Sequence, residues 1–246
     1  MNMFNTLWLG TRAAIFWLGS VISTLIVGGI MMTVLWALPD RWRYPTVTLW
    51  NRFNLWWLQV TCGVKYRVQG LENIPQSGAF VVMANHQSTW ETFALPCIFP
   101  QHLSWVLKQE LLKIPFFGWG LRLLKPIGID RSAGRAAMKQ MAQEGKALIE
   151  SGISIAMFPE GTRVAVEEKV PFKIGGALMA TQIGATVIPV AHNAGISWRR
   201  HAWIKQPGTI TVNIGAPINA KGMKADALNQ QVEQWINNAR AQLPPL

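Results

Sequence analysis

The stretch Ala79-Phe80-Val81-Val82-Met83-Ala84-Asn85-His86-Gln87-Ser88-Thr89-Trp90-Glu91-Thr92-Phe93-Ala94-Leu95 decides how the chain is read. Its first six residues are an unbroken apolar run rich in β-formers, which predicts a buried strand. The residues from Thr92 to Leu95 predict a helix that Pro96 ends. His86 therefore falls on a strand-to-helix crossing, where an α/β sheet exposes its reactive groups. His86 and Glu91 are five residues apart, and on one regular helix they would diverge by about 140°. They meet only if His86 precedes the helix and Glu91 occupies its first turn. The carboxylate then accepts the Nδ1–H hydrogen bond, fixes the tautomer and leaves Nε2 as a base. A second reading competes: Ser88-Thr89-Trp90-Glu91 has the S-x-x-E form of a capping box, in which Glu91 only ties off the helix start.

Outward from this stretch, strand and helix patterns alternate. Strands are expected at Lys65–Gln69, His102–Leu107, Ile127–Arg131, Ile153–Phe158, Val187–Ala191 and Thr209–Ile214. Helices are expected at Ala133–Ser151, Lys173–Ile183 and Ala225–Leu243, with a shorter one opened by Ile114–Gly120. That alternation predicts a single α/β domain over residues 63–246, a central mixed sheet flanked by helices.

The first 62 residues differ in character. Ala13–Leu38 is an uncharged run of 26 residues, about 39 Å as a helix, and the bilayer core requires roughly 20 such residues. Gly28 and Gly29 allow a bend, so the run either spans the bilayer or dips into one leaflet. From Pro45 to Thr61, Val47, Trp50, Phe53, Trp57 and Val60 recur at helical spacing, as in a helix at a membrane interface. Seven of the 13 tryptophans lie before residue 60, where an interfacial belt places them. Arg12 is the single basic residue ahead of the run and Arg41, Arg43 and Arg52 follow it, which puts the C-terminal side on the cytoplasmic face of the cell membrane. Residues 1–62 are thus expected to be a membrane-anchoring segment whose partner is the lipid bilayer.

The chain of 246 residues is 50% hydrophobic and 14% charged, with a net charge of +11. Such a balance suits phosphate-bearing or acidic partners. The low charged fraction and the absence of zinc-finger or ribonucleoprotein patterns argue against nucleic acid. Cys62 and Cys97 have no metal-ligand spacing and build no disulfide scaffold. No metal motif and no dinucleotide fingerprint is present, so no metal and no cofactor are expected.

Two further constellations carry chemistry. In Phe158-Pro159-Glu160-Gly161-Thr162-Arg163 a strand ends, Gly161 lets a ligand approach the backbone, and Arg163 offers a fork for phosphate. A tight turn bearing a surface arginine is the plainer reading. Lys108, Lys113, Arg122, Lys125, Arg131, Arg135 and Lys139 form a basic run, opposed over that span by Glu110 and Asp130 alone. Arg131 stands out because it tips a strand.

Taken in order, Asn85–Glu91, Gly128–Arg131, Phe158–Arg163 and Val187–Val190 resemble the four motif blocks of the glycerolipid acyltransferases, most of all the 1-acylglycerol-3-phosphate acyltransferase family. Pro171-Phe172-Lys173-x-Gly175 fits the same pattern. The first block departs from the commonest form, in which the acid is Asp; here it is Glu91. The resemblance covers roughly Val64 to Ile218. It implies transfer of an acyl chain from a thioester, acyl-CoA or acyl-ACP, to the hydroxyl of lysophosphatidic acid. His86 would be the general base and Glu91 its partner. Arg131, Glu160, Gly161, Thr162, Arg163 and Lys173 would form the glycerol-phosphate site. No acyl-enzyme is implied, so Ser154 and Cys97 need no role. Other readings are another lysolipid or glycerol-3-phosphate as acceptor, a thioester hydrolase, or a lipid-binding membrane protein without catalysis.

Overall fold

The computed structural model describes residues 3–30, 33, 34, 37, 39–114 and 117–245, without the side chains of Asp40, Phe117 and Arg131. In chain order the elements are α1 (Met3–Ile30), α2 (Asp40–Cys62), β1 (Val64–Gln69), β2 (Val81–Ala84), α3 (Trp90–Ile98), β3 (Leu103–Lys108), α4 (Phe117–Arg122), β4 (Ile127–Ile129), α5 (Arg135–Glu150), β5 (Ser154–Met157), α6 (Gly175–Ile183), β6 (Thr186–His192), α7 (Ala194–Ser197), β7 (Gly208–Ile214), β8 (Ile218–Asn219) and α8 (Ala225–Gln242).

The strands form one mixed sheet in the order β1-β7-β6-β2-β5-β3-β4, with β8 added beside β6. The block from β6 to β4 is parallel throughout. The loops that follow β2, β4 and β5 therefore emerge at one edge, the edge at which open α/β sheets bind their ligands. β7 runs antiparallel to β6 and carries β1 in parallel beside it. Pro189 is tolerated inside β6 for a positional reason. Its carbonyl accepts from Gly215 on the side away from β2, between the stretch of β6 paired with β8 and the stretch paired with β7. The missing N–H interrupts no ladder bond there.

Alternation along the strands assigns the two faces. Val82, Ala84, Ala156, Ile188 and Val190 join Phe16, Leu55, Leu58 and Trp90 in one buried cluster under α1, α2 and α3. Val81, Met83, Ile155, Met157 and Val187 join Met141, Met179, Leu228 and Val232 in the other, under α5, α6 and α8. The molecule is an α/β/α sandwich.

α1 and α2 are antiparallel neighbours. Arg12 Nε donates to the Thr61 carbonyl, Trp57 Nε1 donates to the Phe16 carbonyl at 3.2 Å, and Trp50 Nε1 donates to Ser23 Oγ at 3.2 Å. α1 is long and apolar enough to cross a membrane. It begins well before the uncharged run and includes Arg12, whose charge is spent on the end of α2. The remainder of the run, beyond Ile30, lies partly outside the described residues. Two prolines expected to bound helices lie inside them: Pro45 in α2 and Pro96 in α3. Each sits close to one end, where its missing N–H frees a single carbonyl, that of Arg41 or of Thr92.

Candidate active site

Leaving β2, the chain places Asn85, His86, Gln87, Ser88 and Thr89 in a loop before α3. Glu91, in the first turn of α3, is fully buried and points back at that loop. Its Oε1 accepts from His86 Nδ1 at 2.7 Å, from the Gln87 N–H at 2.8 Å and from the Ser88 N–H at 2.7 Å. Ser88 Oγ in turn accepts the Trp90 N–H at 3.1 Å. The capping contact and the histidine contact are thus made by the same oxygen, and the two readings of Glu91 describe one arrangement. Burial opposes the carboxylate charge. The hydrogen bonds from His86 and the Ser88 N–H favour the ionised form and hold Glu91 below the usual carboxylate range. With a carboxylate on Nδ1, the imidazole carries its proton there and presents Nε2 unprotonated.

The imidazole lies flat on Phe158, ring centres 3.9 Å and planes 6° apart, and Phe158 in turn lies on Trp105. The His86 side chain is 15% exposed, enough for contact with a substrate from one side. Its backbone is clamped by the loop after β5. Glu160 Oε2 accepts the His86 N–H at 2.7 Å, and the Val164 N–H donates to the His86 carbonyl at 2.8 Å. The loops carrying the first and third sequence motifs are one hydrogen-bonded unit.

Glu160 was expected to face glycerol phosphate; it faces inward instead. It is buried, spends Oε2 on His86, and sets Oε1 3.7 Å from Arg240 Nη1. Desolvation, with Glu91 adding repulsion, pushes Glu160 up to about 7 against the pull of the His86 N–H and Arg240. Gly161 turns the chain with φ +73°, and the alkyl chain of Lys173 passes over it so closely that a Cβ would meet Nζ at 2.9 Å. Thr162 and Lys173 are exposed and Arg163 is half-buried, so these three ring the turn beside His86. The Arg163 carbonyl is held by Arg200 Nη1 at 2.9 Å. The backbone of Arg131 opens a single helical turn just after β4, on the same edge, and its side chain lies outside the described positions. Among the described residues no cluster of His, Cys, Asp or Glu could hold a metal.

Three contributors, His192, Asn85 and Gln87, are not among the predicted site residues. His192, at the end of β6, is fully buried. Its Nε2 donates to the Asn85 carbonyl at 2.7 Å and its Nδ1 accepts the Ala194 N–H at 3.3 Å, so the ring is neutral, as its burial-lowered pKa requires. Asn85 answers with its side chain, bonding the His192 backbone carbonyl and N–H at 3.0 and 2.9 Å. Gln87 Oε1 accepts the Gly195 N–H at 3.2 Å. Together they fix the chain immediately before and after His86. The position of His192, next to the fourth motif, is the one sequence hint to this bracing.

Residues 65–193 match the family model described as Acyltransferase. The chain is 44% identical over 239 residues to 1-acyl-sn-glycerol-3-phosphate acyltransferase of Pseudomonas aeruginosa, covering 96% of this chain and 92% of that protein. The enzyme of the same name from Limnanthes alba is 28% identical, covering 92% and 81%. The fold is similar to the crystal structure of the 1-acyl-sn-glycerophosphate (LPA) acyltransferase from Thermotoga maritima, with a TM-score of 0.79, 25% identity, and 98% and 97% of the two chains covered.

Proposed function

The chain belongs to the acyltransferase family, and from that premise we propose that it transfers an acyl group from a thioester to the free hydroxyl of 1-acyl-sn-glycerol-3-phosphate, giving phosphatidic acid. The observation that carries the mechanism is the 2.7 Å contact between His86 Nδ1 and the buried Glu91 carboxylate. Nε2 removes the acceptor's hydroxyl proton as that oxygen attacks the thioester carbonyl. The tetrahedral intermediate expels the thiolate of coenzyme A or acyl carrier protein, and the imidazolium returns the proton to it. Glu91 stabilises the imidazolium in between. The acceptor's phosphate is met by Arg163, with Thr162 and Lys173 beside it on the rim of the Gly161 turn and Arg131 at the end of β4. Charge-assisted bonds of that kind are the strong ones. The α1–α2 pair holds the domain on the cytoplasmic face of the membrane, where a lysolipid is delivered from the bilayer.

The test is mass spectrometry of the products formed by purified protein, an acyl thioester and a panel of lysolipids. Phosphatidic acid should form from 1-acyl-glycerol-3-phosphate, and His86→Ala should lower turnover by about 10²–10⁴-fold with the fold retained. Free fatty acid released without any lysolipid would make the protein a thioester hydrolase. Undiminished turnover in His86→Ala would remove it as the base.

A further inference from the structure

Arg240, in the last turn of α8, lies outside the segment that matches the family model, yet it reaches the back of the His86 loop. Its side chain is 10% exposed. Nη1 lies 3.7 Å from Glu160 Oε1, and Nη2 donates to the carbonyls of Val166 and Glu168 at 3.1 and 3.2 Å. Glu160 passes the contact on through Oε2 to the His86 N–H. Val164, in the same segment as Val166, holds the His86 carbonyl. One guanidinium is thereby in contact with both supports of the His86 backbone. The same helix ties down the chain before α6. Glu233 Oε2 accepts the Phe172 N–H at 3.2 Å, and Asn229 Nδ2 donates to the Phe172 carbonyl at 3.1 Å.

We propose that Arg240 is a positioning residue of the transfer reaction: by holding the Glu160 carboxyl in place, it fixes the backbone of His86 and so the place of Nε2. The proposal rests on His86 being the base. Its physical ground is the cost of a buried, unpaired carboxylate. Glu160 is faced by His86 from the loop after β2, Glu91 from α3 and Arg240 from α8. Glu91 repels the Glu160 charge, and Arg240 is the cation paired with it. Deprived of it, Glu160 holds its proton to higher pH, loses the partner of Oε1, and grips the His86 N–H more weakly. A misplacement of about 1 Å at a reacting group is enough to cost roughly 10²-fold.

The experiment uses the full chain in lipid vesicles and compares Arg240→Ala, Arg240→Lys, Glu160→Gln, the double variant Glu160→Gln/Arg240→Ala, and His86→Ala. Arg240→Ala should lower kcat by about 10- to 100-fold, with both KM values nearly unchanged. The acid limb of its kcat–pH profile should move upward. Arg240→Lys, which keeps the charge and loses the fork, should fall between. Glu160→Gln cannot titrate, so the double variant should be no slower than Glu160→Gln alone. The proposal is overturned if the two losses multiply, if the acid limb stays in place, if only an acceptor KM rises, or if kcat falls merely in step with the folded fraction. Should Arg240→Ala not fold, Arg240→Gln, which keeps a polar side chain of similar reach and loses the charge, decides by the same pH criterion. A fully active His86→Ala would instead bring down the base assignment itself. An inactive His86→Ala beside an undisturbed Arg240→Ala would bring down the positioning role alone.

Discussion

Glu91 shows what local sequence conveys and what it leaves open. The five-residue separation predicts the meeting with His86, and the S-x-x-E pattern predicts the bond to Ser88; both are present, on one oxygen. Substitution separates the two duties. Glu91→Gln keeps a capping side chain and removes the charge that the imidazolium needs, so kcat should fall by several orders of magnitude with a modest change in Tm. Glu91→Asp should retain more activity than Gln; near-normal kcat in the Gln variant would end the dyad. At the rim, Arg163→Ala should raise the acceptor KM by roughly 1.5–3 kcal/mol, the scale of a charged hydrogen bond, and leave the donor KM alone, as steady-state kinetics would report. The inward turn of Glu160 was not legible, because its partners His86 and Arg240 lie 74 and 80 residues away along the chain. His192 was missed for the same reason. It also makes a pH prediction. Burial holds its folded pKa below the ordinary 6.5, so its contribution to stability is complete above 6.5 and is lost as pH falls toward the folded value. Glu91, likewise depressed below its ordinary 4.5, contributes above 4.5 and loses that contribution as pH falls through its folded value. Glu160, raised from 4.5 to about 7, has the opposite sign and gains stability as pH falls through that window, so the measurement belongs in the Glu160→Gln background. There, unfolding free energy measured with urea should decline from pH 7.5 to pH 5, by up to about 1.4 kcal/mol per unit for the one proton of His192, and further below 4.5. In His192→Gln the upper part of that decline should flatten.

Among the elements, the parallel strands and their helices follow from alternation of apolar runs with amphipathic ones, and the sequence places them to within a few residues. The pairing of β1 with β7 is not readable, since nothing in Lys65–Gln69 names a partner some 140 residues on. Nor is the crossing of α1 and α2, although one residue carries it. A Cβ at Gly19 would stand 2.2 Å from Trp57 Nε1, so the absence of a side chain is what lets that indole reach the Phe16 carbonyl. Gly10, Gly28 and Gly29, on the same helix, have no atom within 4 Å of such a Cβ. Gly19→Ala should therefore lower Tm despite the better helix propensity of alanine. Gly10→Ala and Gly28→Ala should be neutral or stabilising by up to about 1 kcal/mol. Thermal unfolding in detergent followed by tryptophan fluorescence would show it; equal effects at all three positions would mean that the helices do not cross at Gly19.

For the whole molecule, the two faces of the sandwich meet different surroundings. α1 buries Leu9, Ala13, Phe16 and Ser20 against the domain. Nearly opposite stand Leu18, Ile22 and Leu25, exposed by 64%, 48% and 70%, with Leu49 and Trp56 of α2 exposed as well. A water-facing helix would be polar on that stripe; an apolar one of this extent marks a membrane or partner surface, and it supports the proposed seat in the bilayer. Deleting residues 1–62 is a poor test, because Leu55, Leu58 and Cys62 of α2 belong to the same core as Phe80 and Trp90. Loss of membrane binding would then be confounded with loss of the fold. The triple variant Leu18→Gln/Ile22→Gln/Leu25→Gln changes the outer stripe alone, and glutamine keeps a helix propensity close to that of leucine. Each replaced side chain contributes about 1.5–3 kcal/mol when moved from water into an apolar phase, so the three together weaken the hold of the hairpin on lipid by several-fold the energy of one tenfold change in affinity. The variant should shift from the detergent-extracted to the salt-washed fraction and lose activity on lysolipid held in vesicles. Its Tm and its turnover of a short-chain, water-soluble lysolipid should stay near those of the wild type, because the stripe lies on the far side of α1 from the His86 loop. A triple variant that still demands detergent would place the anchor elsewhere, and one that releases from membranes yet works undiminished on vesicles would separate the anchor from substrate delivery.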